Sequence, residues 1–180
     1  MGNAARPATV AAAPYDSRGE KELSNLLSAL DERASEAESR PTTLNDEQVR
    51  ELKRTADATA TVLQNQAQSA EAFAQLIERS IRARAFARID ALADTIQSRL
   101  APSEICELTR HQNPAVRALA QEALALSSTA TLVDLLSDQI DCDAARAALE
   151  RQARDYGSDE ARWIVNALER TDGEDEDDEE

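Results

Sequence analysis

Residues 45–100 read NDEQVRELKRTADATATVLQNQAQSAEAFAQLIERSIRARAFARIDALADTIQSRL, with neither glycine nor proline between Asp46 and Leu100. The start of this stretch is well signalled. Asn45 stands where a cap acceptor is needed, Gln48 three residues on completes a capping box, and Leu44 and Val49 occupy the two positions of a hydrophobic staple. As one unbroken helix the stretch would be roughly 80 Å long at ~1.5 Å per residue. Helices of globular domains rarely run so far, so the expectation is a long helix, a helical hairpin or a coiled coil. Val49, Leu52, Ala56, Thr59, Leu63, Gln66, Ala70, Phe73 and Ile77 follow a heptad register, and seven of these nine are apolar. After Ile77 the step becomes four, through Ile81, Ala85 and Ile89, a change that unwinds a supercoil locally. The seam is rich in alanine and therefore thin. Packing of the preceding helix along it, or a break near Gln64–Gln68, would use the same stripe. The reading is a stalk over 45–100 that offers a route to a homo-oligomer.

Working outward, residues 1–16 are rich in alanine and proline, show no helical period and read as a disordered arm. Ser17-Arg18-Gly19-Glu20 has capping-box spacing and opens an amphipathic helix over 17–40, with Leu23, Leu26, Leu27, Leu30, Ala34 and Ala37 on one stripe. Pro41 disfavours helical geometry at Arg40 and ends it. On the C-terminal side Pro102 resets the pattern, and 102–171 reads as several short helices. Asn113-Pro114 is a clean start, the asparagine capping and the proline giving up a donor that would be free anyway. Gly157 ends one helix and Ser158 caps the next. Trp163, Ile164 and Leu168 form the last apolar face. Residues 172–180 read as an acidic disordered tail, order ending at Gly173 and Glu174 to Glu180 being wholly carboxylate.

Composition agrees with an all-α chain. Of 180 residues 42% are hydrophobic, but alanine makes up much of that and aromatics only 3%. Alanine favours helix and buries little area. Asp and Glu outnumber Lys and Arg 35 to 20, for a net charge of −15. Lys21 and Lys53 are the only lysines. An acidic, lysine-poor, alanine- and arginine-rich chain resembles the proteins of salt-in halophiles, whose carboxylate surface stays hydrated where salt screens its self-repulsion. The competing reading is an arginine-rich chain of a GC-rich genome that carries an acidic tail. Either argues against nonspecific nucleic-acid binding, which needs clustered cations facing phosphate. No apolar run approaches a membrane span, and residues 1–14 lack the apolar core of a secretory signal. The Met-Gly start resembles a myristoylation site, but Arg6 stands where Ser or Thr is required. A cytoplasmic protein is expected. Two cysteines, Cys106 and Cys142, make no disulfide framework.

The segment His111-Gln-Asn-Pro-Ala-Val-Arg-Ala-Leu-Ala-Gln-Glu-Ala-Leu124 resembles the turn and second helix of a HEAT repeat. Asn113, Pro114, Val116, Arg117, Ala123 and Leu124 match that family's pattern. A weaker echo, Asp143-Ala-Ala-Arg146-Ala-Ala-Leu149, places its arginine 29 residues after Arg117. Leu132, Val133, Leu135 and Leu136 would supply the intervening helix, and Ala161-Arg162 a truncated third copy. The spacing suits the short class of such repeats. The resemblance implies a small HEAT-like domain over 102–171 that binds a protein on its solenoid surface without catalysis. It makes Asn113 and Arg117 fold determinants, not binding residues.

Catalytic constellations are hard to build. His111 is the only histidine and sits at a helix C-terminus, where its partial positive charge suits the dipole. Cys106 and His111 do not share a helix face. A metal site adding Cys142 and Asp141 or Asp143 is conceivable only across two repeats. Asp138, Asp141 and Asp143 lack the glycine of a calcium loop. No phosphate-binding glycine loop occurs, and no cofactor is expected. Arg79, Arg82, Arg84 and Arg88 form the one cationic island. They are candidate docking positions for an acidic partner or the chain's own tail, if not paired with local carboxylates such as Glu78 and Asp90. The expected function is a non-enzymatic interaction module with a protein partner of unknown identity. The rival is a structural assembly protein such as a virion scaffold or packaging component, and the lesser ones are an enzyme or a nucleic-acid-associated factor. The halophile reading predicts that the thermal unfolding midpoint rises between about 0.1 M and about 2 M KCl, as carboxylate repulsion is screened. A midpoint that is flat or falls with salt would reject it.

Overall fold

The computed structural model describes residues 16–39 and 44–174, and within these every regular element is a helix. The expected arm lies outside the described residues up to position 15, as do the stop at Pro41 and the tail from position 175 onward.

α1 (Ser17–Ser39) starts where the sequence places it but is capped differently. The Asp16 carboxylate accepts from the backbone N–H groups of Arg18 and Gly19 at 3.2 and 3.1 Å. Glu20, expected to serve this same end, is instead buried at 4% exposure and points at another helix. α2 (Asp46–Gln66) has the capping box read from the sequence: Asn45 Oδ1 accepts from Gln48 N–H and Gln48 Oε1 from Asn45 N–H, both at 2.9 Å. α1 and α2 pack as a hairpin. Leu27 and Ala34 of α1 are buried, as are Ala56, Ala60 and Leu63 of α2.

The stretch 45–100 is three helices, its first break falling at the Gln64–Gln68 region that the sequence offered as one alternative. α2 ends at Gln66, α3 spans Ala70–Arg82 and α4 spans Phe86–Arg99. The reason lies in α3. Ala70, Ala72, Phe73, Ala74, Leu76, Ile77 and Ser80 are all buried, so this helix has a broad face that must be covered. Continued straight from α2, that surface would stand in water. Burying Phe73, Leu76 and Ile77 is worth about 1.5–3 kcal/mol each. Interrupting a few helical hydrogen bonds costs about 1 kcal/mol net apiece, and the freed groups find other partners. The heptad positions Ala56, Thr59, Leu63, Ala70, Phe73 and Ile77 are consequently buried inside the chain, against its own helices. The turn into α4 passes through Arg84 at φ 52°. A non-glycine residue there costs roughly 1–2 kcal/mol, offset by hydrogen bonds from Arg84 and Ala85 N–H to the carbonyls of Ile81 and Ser80.

The break is closed by charges from distant helices. Gln68 N–H donates to Glu20 of α1 at 2.8 Å, and the Ser69 hydroxyl donates to the same carboxylate. Ala70 N–H donates to Glu104 at 2.5 Å, and Ser69 caps Ala72 N–H. At the other lip, Arg99 of α4 donates to the Gln64 carbonyl at 3.0 Å. Anions thus face a helix N-terminus and a cation faces a C-terminus, the arrangement that helix dipoles favour.

The remaining helices are α5 (Pro102–Thr109), α6 (Pro114–Ala125), α7 (Thr129–Leu135), α8 (Cys142–Asp155) and α9 (Asp159–Glu174). α9 continues through Gly173, where the sequence suggested that order ends. Neighbours pair in sequence, α3 with α4, α5 with α6, α7 with α8 and α8 with α9. Alternate helices also touch, so that α3, α5 and α7 form one row and α4, α6 and α8 a second. Gly157 takes φ +66° after α8, as expected, and Ser158 caps α9 through Ala161 N–H. Gln152, buried at 7% exposure, pins the α6–α7 connection by donating to the carbonyls of Ala125 and Ser127.

Glu20→Ala is expected to cost about 1–3 kcal/mol, since it strands donors at the α3 N-terminus. Ser17→Ala should stay within about 0.5 kcal/mol, because its hydroxyl caps nothing. Urea unfolding of the two variants measures the contrast, and equal costs would refute the capping assignment.

Candidate functional site

A groove of about 730 Å³ lies between α1, α3 and α5. Its α1 wall is Ser24, Asn25, Ser28, Asp31, Glu32 and Ser35, and its α3 wall includes Glu71, Ala74, Gln75, Glu78 and Arg82. Each wall recurs at helical spacing over about three turns, which makes the groove roughly 16 Å long at ~1.5 Å per residue. Glu107, Leu108 and His111 close the end nearest α5. A second depression continues from there past Glu78, Glu107, Arg110 and Gln112.

The groove floor is rigid and polar. Gln75 accepts from the Ser24 hydroxyl at 2.7 Å, and its amide donates to the Ser24 carbonyl and Ser28 Oγ at 3.0 and 2.8 Å. Glu78 accepts from the Asn113 side chain at 3.3 Å. The charge is one-sided: Glu32, Glu71, Glu78 and Glu107 stand against Arg82, while Asp31 is neutralised by Arg79. Glu71 and Glu107 are exposed. Low-dielectric walls lined by one sign of charge focus the field and favour a cationic visitor.

The arginine island read from the sequence is not a single surface. Arg79 is a structural cation, its side chain only 14% exposed. It donates to both oxygens of Asp31 at 3.1 and 2.9 Å and to Asp57 at 3.0 Å, tying α3 to α1 and α2. Burial pulls its pKa down, but the bonds to Asp31 and Asp57 outweigh that and hold it above the ordinary arginine value. Its partners are therefore remote carboxylates, not the neighbouring Glu78 and Asp90. Arg82 lines the groove, Arg84 is exposed in the left-handed turn, and Arg88 is half-buried in α4. None of these three forms an ion pair with another described residue.

The repeat-like positions do structural work. Asn113 accepts from Ala115 N–H at 3.0 Å, Pro114 opens α6 and Val116 is fully buried. Arg117 reaches back to the carbonyls of His111 and Gln112, both at 2.8 Å. Its counterpart Arg146 lies 3.7 Å from Glu150. At the loop before α8, the Ile140 carbonyl takes its arginine from α5, where Arg110 also meets buried Asp141 at 2.9 Å. That pairing links residues far apart in sequence and has no local signal.

His111 Nδ1 accepts from Asn113 N–H at 3.1 Å and so serves the turn. Among the described residues no group of three or more His, Cys, Asp or Glu could hold a metal ion. Cys106 is buried, and burial, then the Asp141 charge, push its thiol up to about 11 against the opposing Arg110, with Asp138 adding to the rise. At neutral pH it is a protonated core side chain and a poor nucleophile. The stability tied to that neutral form is whole below pH 9 and declines as pH climbs through about 11. At pH 7.5 one thiol per folded chain, that of half-buried Cys142, should react promptly with an aromatic disulfide reagent. The second should react only on unfolding or in strong alkali. Two fast thiols would contradict the placement of Cys106. Comparison with protein-family models, curated proteins and solved structures finds no match to this chain.

Proposed function

We propose that this chain is a non-enzymatic interaction module that holds a cation-bearing segment of a protein partner in the groove between α1, α3 and α5. The observation that carries the reading is the groove itself, three helical turns long, with a hydrogen-bonded floor and carboxylates on every wall. An extended chain rises about 3.3 Å per residue, so the groove accommodates roughly five residues. Lysine or arginine side chains would meet Glu71 and Glu107 on its rim and Glu32 within it. Such a contact gains mainly in association rate and selectivity, and it weakens with salt.

The two rows of paired helices support a solenoid of the HEAT type. On this reading its first pair is α3 with α4, ahead of the Asn113-Pro114 signature, and α1 with α2 folds back over that end. Helical solenoids offer extended concave surfaces for protein binding, which agrees with the function proposed for the groove. The acidic, lysine-poor exterior is proposed to be a salt adaptation, so partner capture belongs at the salt concentration of the native host.

Crosslinking of the tagged chain in its native host, read by mass spectrometry, tests the reading. A partner peptide rich in lysine or arginine should crosslink to the groove walls. Glu71→Lys with Glu107→Lys should reduce its capture by tenfold or more, with the helical circular dichroism unchanged, since both side chains are exposed. Capture undiminished by the double reversal would move the binding surface elsewhere.

A further inference from the structure

α9 carries a feature that the groove does not use. Trp163, the only tryptophan of the chain, is 70% exposed. It stands on a helix whose opposite face is well seated, with Ala161 fully buried and Ile164 and Val165 packed against the core. A tryptophan left in water forgoes one of the largest apolar burials any side chain offers, and exposed tryptophans are enriched at interfaces. The segment that follows α9, residues 175–180, is wholly acidic and brings no apolar side chain to cover it.

The residues around Trp163 indicate what does. Asp159, Trp163, Asn166 and Arg170 are spaced by four, three and four, which sets them in one stripe along α9, and all four are exposed. The stripe is polarised, acidic at its N-terminal end and basic at its C-terminal end. Laid against a second copy running the opposite way, it complements itself: Asp159 faces the other copy's Arg170, and Trp163 lies across its Asn166. On the flank Arg162 faces Glu169. Each pairing occurs twice by symmetry, as an isologous contact requires. A parallel arrangement would set Asp159 on Asp159 and Arg170 on Arg170, so charge selects the antiparallel one. The free chain leaves the groups available. Asp159 is held by Arg162 at 2.7 Å yet stays 92% exposed, and among the described residues Arg170 bonds the Asn166 carbonyl of its own helix, at 3.2 Å.

We propose that this protein forms a two-fold dimer in which α9 packs antiparallel against α9 of a second copy, centred on Trp163. The contact runs about 17 Å along each helix at ~1.5 Å per residue. That is small for a protein interface, so the dimer is concentration-dependent and dissociates on dilution. It uses none of the residues that line the groove, and it does not depend on the function proposed for that groove.

Because Trp163 is the sole tryptophan, its fluorescence reports the contact directly. The full chain is diluted from several hundred micromolar to below one micromolar. Sedimentation mass and tryptophan emission are followed together. The dimer predicts that mass doubles and emission shifts to the blue with the same midpoint. Trp163→Ser should stay monomeric throughout with unchanged far-UV circular dichroism. Asp159→Arg alone and Arg170→Asp alone should each weaken association roughly tenfold or more, since each sets like charges at both ends. An equimolar mixture of these two variants should associate nearly as well as the unaltered chain, because every pair across that heterodimer is again opposite in sign. A chain monomeric at all concentrations overturns the proposal. So does a dimer that leaves the emission unshifted or survives Trp163→Ser, and so does a mixture no better than its components.

Discussion

The structure turns on the capped break between α2 and α3. A helix N-terminus presents backbone donors that must be satisfied, and here it is part-buried against α1 and α5. Glu20 and Glu104 meet those donors from opposite directions in the sequence, with Ser69 between them, while Arg99 meets a carbonyl at the end of α2. Without these partners the break would leave part-buried backbone donors unpaired, at about 1–3 kcal/mol. With them, the chain can turn at Ala67–Ser69 and send its most buried helix through the middle of the molecule.

Once α3 is central, much of the remaining architecture follows from it. α1 and α2 must cover it on one side and α4 and α5 on the other, because its buried residues leave little surface for water. Arg79 becomes an internal tie, since its stem emerges between α1 and α2, where Asp31 and Asp57 are waiting. The outer flank of α3 that faces α1 and α5 is polar, and the space between the three helices becomes the acidic groove. The site and the core are thus two faces of one short helix.

The chemistry is divided in the same way. Groups that look reactive in the sequence are engaged in holding turns: His111 in the turn before α6, Cys106 in the core, Asp141 with Arg110. What stays exposed at the surface is of another kind. Carboxylates line a groove, and a tryptophan sits in the middle of a polarised helical stripe. Both are the surfaces on which the two proposed contacts rest.

Local physical chemistry made a good part of this legible in advance. The all-helical class, the box at Asn45 and Gln48, the Asn113-Pro114 start and the Gly157 turn all depend on residues within a few positions of one another. Such interactions are written in the order of the chain. The same reasoning named Ser17 and Glu20 as a local pair, because at that range Glu20 has no visible alternative. It grouped Arg79 with Arg82, Arg84 and Arg88 because they are adjacent in sequence. Only tertiary structure could decide that Glu20 serves a helix 48 residues away and that Arg79 answers Asp31 across a like distance. It alone also decided that the seam of residues 45–100 is filled from within. Periodicity states which face a helix must bury, but it is silent on what buries it. That choice is made by the competing free energies of whole surfaces, and a one-dimensional pattern does not contain them.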